Sequence, residues 1–92
     1  MTTIIRWELT NIILIGNNIN ETTYNLIDGK FNYKIKKEIS IEELKEADLS
    51  DISTAFICDI EEYNNIVKYL KDNNITDIYL LNTFTKDIIS IY

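Results

Sequence analysis

The sequence predicts a small α+β domain in which one mixed β-sheet carries two helices. Three patterns predict this class. Apolar runs typical of strands recur along the chain, amphipathic segments lie between the later runs, and an Asp-Gly pair marks a hairpin. At 92 residues the chain forms one domain, residues 1–92. The predicted order is β-β-β-α-β-α-β-β, an antiparallel meander joined to a βαβ unit, with both helices packed on one face of the sheet.

The front of the chain contains two strand-like runs, residues 3–9 (TIIRWEL) and 11–16 (NIILIG). Their alternation changes phase at Thr10-Asn11. This favours one long strand bent by a bulge over a tight hairpin, because Thr-Asn is a poor pair for a type I′ turn. Trp7 alternates with apolar neighbours, and core packing is the role expected of so large an aromatic side chain.

A β-hairpin is predicted between residues 22 and 36 (TTYNLIDGKFNYKIK). Asp28-Gly29 is a favoured pair for a type I′ turn, because glycine adopts positive φ freely and aspartate does so better than most residues. A two-residue turn there places Tyr24 opposite Tyr33, with apolar side chains on one face and polar ones on the other. A one-residue shift breaks this pattern, so the alternation itself favours the hairpin.

Residues 39–49 (ISIEELKEADL) predict the first helix. Ser40 and Glu43 stand three positions apart, as in a capping box, where each side chain accepts a hydrogen bond from the other residue's N–H. Ile41 and Leu44 are then expected to face the core, while the neighbouring glutamates face solvent.

The βαβ unit begins with the run TAFIC at residues 54–58, whose lack of alternation is typical of a strand covered on both faces. Asp59 and Glu62 form a second capping box, so Asp59 is predicted to cap the second helix. Apolar residues then recur at helical spacing. This apolar stripe consists of Tyr63, Ile66, Val67 and Leu70.

The second helix is predicted to end at Asn73-Asn74, because asparagine adopts the left-handed conformation that stops helices. Residues 78–82 (IYLLN) and 86–92 (KDIISIY) are predicted to form the last two strands, with a short helix as the alternative for the second segment. A strand, a helix and a strand at this spacing predict a right-handed crossover between parallel neighbours.

The charge balance restricts the partners. Nine basic and fifteen acidic residues give a net charge of −6, which disfavours binding to phosphate backbones and to anionic lipid. The N-terminus lacks the basic region of a signal peptide, and Cys58 is the only cysteine, which suits a reducing compartment. A cytoplasmic protein that binds neither nucleic acid nor membrane directly is therefore expected.

The chain lacks the residues that most catalytic and metal sites need. The chain has no histidine, one cysteine and two glycines, so histidine-based catalysis, thiolate metal sites and phosphate-binding glycine loops are excluded. Carboxylate chemistry remains, in which Asp59, Asp51 and Asp77 converge on Mg²⁺. The cap explains Asp59 more simply, and Cys58 is expected to be a buried, inert thiol. No cofactor, metal or catalytic residue is predicted.

An acidic band runs from Glu38 to Asp51 and continues at Glu61 and Glu62, while lysines cluster on the predicted hairpin. Solvated helix faces and first-turn carboxylates account for such a pattern in many proteins. The alternative is a surface that docks a basic protein and imitates a phosphate backbone. The candidate partner-binding residues are Glu42, Glu43, Glu46, Asp48, Asp51, Glu61 and Glu62.

Small, acidic, cofactor-free domains of this kind resemble phage-encoded inhibitors of host defence nucleases, including anti-CRISPR proteins, and antitoxin-like immunity proteins. The resemblance covers size and charge. It implies a non-catalytic inhibitor that docks on a basic, nucleic-acid-binding protein. One alternative is a homo-oligomeric assembly domain that pairs through a sheet edge at residues 87–92. The other is a Mg²⁺-dependent carboxylate enzyme acting on a small phosphorylated compound.

Overall fold

The computed structural model describes residues 10–17, 19–28 and 33–91. In these residues five strands form one mixed sheet, which carries two α-helices and a single 3-10 turn. The predicted α+β class is thereby confirmed. The elements are β1 (Thr10–Ile15), α1 (Glu21–Ile27), β2 (Tyr33–Ile39), the 3-10 turn (Leu44–Glu46), β3 (Thr54–Cys58), α2 (Asn64–Asp72), β4 (Asp77–Asn82) and β5 (Asp87–Ser90).

The strand order is β2-β1-β3-β4-β5. Strands β1 to β4 pair in parallel, and only β5 runs antiparallel to its neighbour β4. The two strands with parallel neighbours on both sides near the centre, β1 and β3, are buried throughout from Ile12 to Ile15 and from Thr54 to Cys58. Each fully buried isoleucine or phenylalanine there contributes about 1.5–3 kcal/mol relative to exposure.

The two helices pack on opposite faces of the sheet, so the prediction that both lie on one face is wrong. Ile27 of α1 packs in the same cluster as Ile12, whereas Leu70 of α2 packs with Ile13. The strand order explains the difference, because β2 lies on one side of β1 and β4 lies on the opposite side of β3. Two crossovers of the same hand that proceed in opposite directions place their helices on opposite faces.

Residues 21–27 form a helix because Asn20 caps it. The Asn20 side-chain oxygen accepts a hydrogen bond from the Thr22 N–H at 2.9 Å, and the Asn20 N–H donates to Thr23 Oγ1 at 3.2 Å. Thr23 and Ile27, one helical turn apart, are both completely buried. This reciprocal cap and the buried stripe outweigh the β-propensity of the two threonines.

The predicted hairpin and the antiparallel meander are therefore wrong. Asp28 is the C-cap of α1 and donates its N–H to the Tyr24 carbonyl oxygen at 2.8 Å, while Gly29 lies outside the described residues. Strand β2 pairs with β1 in parallel rather than with residues 22–27. The alternation of polar and apolar residues in β2 reflects its position at the edge of the described sheet.

The predicted N-terminal strand at residues 3–9, including Trp7, lies outside the described residues. The phase change predicted at Thr10-Asn11 is not a break within β1, which is continuous over Thr10–Ile15. An irregularity does occur where β1 pairs with β2, between Ile12 and Ile13.

The predicted helix at residues 39–49 is reduced to the 3-10 turn Leu44–Glu46. Leu44 is buried as expected, whereas Ile41 is 36% exposed. Ala47 takes an extended conformation and Asp48 accepts a hydrogen bond from the Ser50 N–H at 3.0 Å, so a polar turn replaces the last helical turn.

The βαβ unit β3-α2-β4 is confirmed, with β3 and β4 parallel. Helix α2 ends at Asp72, and the chain leaves it through a left-handed residue, Asn74, with a φ of 65°. The Asn74 N–H donates to the Lys71 carbonyl oxygen at 3.0 Å and the Ile75 N–H donates to that of Leu70 at 3.1 Å. These two bonds form a Schellman motif, whose hydrophobic contact is supplied by the buried Leu70 and Ile75.

Candidate functional site

The carboxyl ends of three parallel strands are level with one another. In the paired register Ile39 of β2 lies beside Ile15 of β1, which lies beside Ile57 of β3. Neighbouring strands are about 4.8 Å apart, so the segments that follow β2 and β3 leave the sheet roughly 10 Å from each other. We call this end of the sheet the carboxyl edge. In open parallel sheets it is the end where ligands usually bind.

Three of the candidate residues follow β2 at this edge. Glu42, Glu43 and Glu46 are all exposed, within seven residues of the end of the strand. Glu43 Oε1 accepts hydrogen bonds from the Ser40 N–H at 3.1 Å and from the Ser40 hydroxyl at 2.9 Å. The first of these bonds, and then the second, holds the pKa of the Glu43 carboxyl below its ordinary value. The two bonds from Ser40 therefore hold the Glu43 side chain in place and favour its ionised form.

The second group follows β3. Glu61 and Glu62 are exposed in the loop between β3 and α2, three and four residues beyond Cys58. Neither caps α2, which begins at Asn64 after an N-cap, Tyr63, that makes no side-chain capping bond. Their carboxylates thus have no role in helix capping, and they face solvent at the carboxyl edge.

The remaining two candidates, Asp48 and Asp51, lie later in the same loop, between the 3-10 turn and β3. Asp51 lies at the opposite end of the sheet, where the Asn11 side chain donates to the Asp51 carbonyl oxygen at 3.1 Å. Its carboxylate is 3.5 Å from Lys36 Nζ. The Asp48 carboxylate accepts a hydrogen bond from the Ser50 N–H. This bond is the main reason that the pKa of Asp48 lies below its ordinary value. After the Ser50 bonds, the charge of Lys37 also lowers the pKa of Asp48, and Lys37 lines the same hollow as Glu43 and Glu46. Asp48 therefore lies near these glutamates, and only Asp51 lies at the opposite end of the sheet.

We define the carboxyl-edge glutamates as the five that follow the carboxyl ends of β2 and β3 along the chain. Among the residues that the structure describes, none of them forms an ion pair with a lysine. Lys37 lines the same open hollow as two of them and offsets part of the local charge. The carboxyl-edge glutamates are Glu42, Glu43, Glu46, Glu61 and Glu62.

Asp59 is not a helix cap, and that prediction is wrong. It takes a left-handed conformation, with a φ of 54°, directly after β3. Its carboxylate accepts two hydrogen bonds from Thr83, from the N–H and from the hydroxyl, each at 2.7 Å. The chain continues for four residues before α2 starts at Asn64. Asp59 therefore holds the β4–β5 turn against the end of β3.

The aspartates of the proposed Mg²⁺ site do not converge. Asp77 is the first residue of β4 and lies beside Thr54, the first residue of the parallel strand β3, whereas Asp59 follows the end of that strand. Asp51 also lies at the amino ends of the strands. In residues 10–17, 19–28 and 33–91 no three acidic or cysteine side chains form a group suited to a metal ion.

Cys58 is buried, as predicted, at 1% exposure. Its Sγ lies 3.7 Å from the Phe56 carbonyl oxygen. Burial first, and then the negative charge of Asp59, raise the pKa of the thiol to about 12. Since the thiolate is the reactive form, this cysteine is a poor nucleophile in the folded protein.

The structure also contains a cleft of about 440 Å³, with apolar and polar lining, that was not predicted from the sequence. It lies between the loop after β3 and the β4–β5 turn, and its lining includes Ile60, Tyr63 and Ile89, with Glu61 among its polar residues. Phe84 stands beside it at 87% exposure. The sequence signal was an aromatic residue in a polar turn, Thr83 to Lys86, where no core role is available.

The β4–β5 turn that carries Phe84 is fixed by side chains. Asn82 Oδ1 accepts hydrogen bonds from the Phe84 N–H at 2.9 Å and the Thr85 N–H at 3.1 Å. Together with the bonds from Thr83 to Asp59, these contacts hold three successive N–H groups of the turn. The exposed phenylalanine is therefore presented on an ordered turn.

Neither α-helix of the described chain, at seven and nine residues, is long and apolar enough to cross a bilayer. Comparison with known proteins finds no matching family model, no similar curated protein and no similar solved structure.

Proposed function

We propose that this domain is a non-catalytic binding module that docks a basic protein through the carboxyl-edge glutamates. The observation that carries the proposal is that five exposed glutamates follow the carboxyl ends of β2 and β3, and that none of them forms an ion pair with a described lysine. Unpaired surface carboxylates gain most from a partner that supplies cations, and they accelerate its approach over long range.

The partner class follows from the charge. A protein surface rich in lysine and arginine is most often one that binds nucleic acid, because those side chains neutralise phosphates. A domain of net charge −6 is attracted to the same surface and competes with the nucleic acid for it. We therefore propose that the module acts as an inhibitor of a nucleic-acid-binding protein, for example as a phage-encoded inhibitor of a cytoplasmic defence nuclease.

Phe84 supplies an apolar contact to the same interface. Charged rims contribute mainly to specificity and association rate, whereas buried aromatic side chains contribute much of the binding energy at protein interfaces. Phe84 is exposed on an ordered turn and borders a cleft that Glu61 also lines. Phe84→Ala is expected to weaken the complex by about tenfold or more, or ~1.4 kcal/mol, without unfolding the domain.

The proposal is tested by affinity capture from the native host with three forms of the domain. The first is the unmodified chain, and the second is the carboxyl-edge variant, Glu42→Lys with Glu46→Lys. The third is an amino-edge control, Asp72→Lys with Asp77→Lys, whose exposed carboxylates lie at the opposite end of the sheet. Both double variants change the net charge from −6 by +4 to −2, so only the position of the change differs.

A basic, nucleic-acid-binding protein is expected on the unmodified chain and on the amino-edge control at low salt. It should be lost from the carboxyl-edge variant and from all three forms at high salt. Equal recovery on all three forms, or recovery that salt does not change, contradicts the proposal.

A further inference from the structure

Strand β5 is an edge strand of the described sheet, in which only β4 pairs with it. The Ile91 N–H donates to the Ile78 carbonyl oxygen at 2.9 Å. Backbone groups of successive strand residues point to opposite sides, so Ile89 also faces β4, whereas Ile88 and Ser90 direct their N–H and C=O groups outward. Within the described chain no strand pairs with that outer side.

The side chains of β5 make this edge unusual. Ile89 pairs with Leu80, on the sheet face that α2 covers, and is 56% exposed. Edge strands generally avoid pairing by carrying charges or proline. In β5 the charged residue is Asp87, at the start of the strand, whereas Ile88, Ile89 and Ser90 carry no charge and no proline. Within the described residues, both the outward backbone groups of β5 and the Ile89 side chain are therefore open to another strand.

We infer that the outer side of β5 pairs with β5 of a second copy of this chain, in antiparallel orientation about a two-fold axis at Ile89. This register overlaps residues 87–91 of both copies completely. Ile88 of each copy then exchanges both backbone hydrogen bonds with Ser90 of the other. Ile89 faces its own counterpart in a non-hydrogen-bonded pair, where side chains approach most closely, with Cα atoms about 4.5 Å apart.

The edge is self-complementary, because its outward-facing residues, Ile88 and Ser90, lie symmetrically about Ile89, and local charge does not oppose a second copy. Lys86 and Asp87, the ionisable residues in and next to β5, cancel each other, so the paired edge is locally neutral. The five-stranded sheets of the two copies become one continuous sheet, and the alternation of strand direction from β4 to β5 continues across the axis. An isologous pair of this kind is closed and does not grow into a filament.

The salt dependence separates this inference from the proposed function. Each copy carries a charge of −6, so long-range repulsion opposes self-association at low salt and is screened at high salt. Salt is therefore expected to strengthen the pair of copies, whereas it weakens a complex with a basic partner. The short strand predicts a weak pair, with a Kd on the order of 100 µM.

The test is sedimentation equilibrium of the purified chain from about 10 to 500 µM, at about 0.05 and 0.5 M salt. The average mass is expected to rise from 10.8 kDa toward twice that value as the protein concentration increases. In the higher salt this rise should begin at a lower protein concentration. A mass that stays at 10.8 kDa throughout overturns the inference.

Two variants test the geometry. Ser90→Pro removes an N–H that points outward and leaves the bonds between β4 and β5 intact, so it should abolish pairing with little effect on the unfolding midpoint. Ile89→Lys places like charges opposite each other at the axis and should abolish pairing too. The matched control is Ile41→Lys, at another exposed isoleucine, which should leave pairing unchanged. Pairing that survives Ser90→Pro and Ile89→Lys equally overturns the inference.

Discussion

The carboxylate of Asp59 holds Thr83 by two hydrogen bonds of 2.7 Å, one from the Thr83 N–H and one from its hydroxyl. The two residues are 24 positions apart in sequence, and they join the end of β3 to the turn between β4 and β5. The acidic residue at the end of a parallel strand, which suggested either a helix cap or a metal ligand, thus has a third role. It fixes the turn that presents Phe84.

Asp59→Ala is expected to destabilise the domain by about 2–3 kcal/mol, because two bonds to a carboxylate are lost and the backbone must stay left-handed. Thr83→Val removes only the hydroxyl bond and should cost about 1 kcal/mol. Asp59→Asn should cost less than Asp59→Ala, since asparagine tolerates positive φ and still accepts from the N–H. Urea unfolding of the three variants gives the order.

Glu62→Ala is the control for the alternative role of Asp59 as a cap. A capping box needs both residues, so a cap predicts that Glu62→Ala and Asp59→Ala destabilise α2 together. In the structure Glu62 is exposed and contributes nothing to the start of α2. Its replacement should change the free energy of unfolding by less than about 0.5 kcal/mol.

Gly16→Ala is expected to be strongly destabilising. A Cβ at this position would lie 2.7 Å from the Cys58 carbonyl oxygen and 3.1 Å from Cys58 Cβ. The first of these atoms belongs to the backbone of β3, so the strand itself must shift, at a cost of about 1–3 kcal/mol or more. The free energy of unfolding measures this cost. A stability equal to that of the unmodified chain would contradict the close approach of β1 and β3.

The helical state of residues 21–27 is tested at an exposed position, Asn25. Asn25→Ala should raise stability by about 0.5 kcal/mol, because alanine has the higher helix propensity, whereas Asn25→Gly should lower it. Asn20→Ala removes the cap and should cost about 1 kcal/mol. In a β-hairpin, Asn25→Ala would not be stabilising, since alanine is depleted in strands. Thermal unfolding of the three variants distinguishes the two structures.

The burial of Cys58 should lower the free energy of unfolding at high pH. Its pKa is raised from an ordinary value of 9.0 to about 12 by burial, so folding favours the neutral thiol. The stability that this group contributes is fully present below pH 9.0 and is lost as the pH rises toward about 12. Urea unfolding between pH 9.0 and about 12 measures this loss. Other groups titrate in both proteins, but only the unmodified chain has the thiol, so the free energy of unfolding should fall less steeply with pH in Cys58→Ala.

The same thiol reports unfolding. At about pH 8, iodoacetamide should modify Cys58 slowly in the native protein, and the rate should increase over the urea range in which the protein unfolds. Rapid modification without urea would show that the thiol is accessible, contrary to its burial at 1% exposure.

The second half of the chain was predictable because local signals and tertiary structure agree there. The unbroken apolar run at residues 54–58, the stripe of α2 and the left-handed Asn74 each require the observed element. The region before β2 was not predictable, because one signal at Thr22 and Thr23 favours a strand and another favours a helix. Their β-propensity favours a strand, while the Asn20 cap and the burial of Thr23 and Ile27 favour α1.

The site was predictable in part. Charge alone identified exposed acidic residues, and five of the seven are the carboxyl-edge glutamates. These glutamates follow the same end of the sheet only because β2 and β3 are parallel. The predicted antiparallel meander gave no basis for expecting that arrangement. The opposite placement of Asp51 follows from its position just before β3, and the Asp59–Thr83 contact depends on the strand order. Neither relationship has a local sequence signal.

The most direct test of the carboxyl edge as a docking surface is calorimetric titration of the captured partner at several salt concentrations. The unmodified chain and the amino-edge control should bind with similar affinities that fall steeply as salt increases. The carboxyl-edge variant should bind about tenfold more weakly or worse, with a shallower dependence on salt. Equal affinities and equal salt slopes for all three forms would contradict the account.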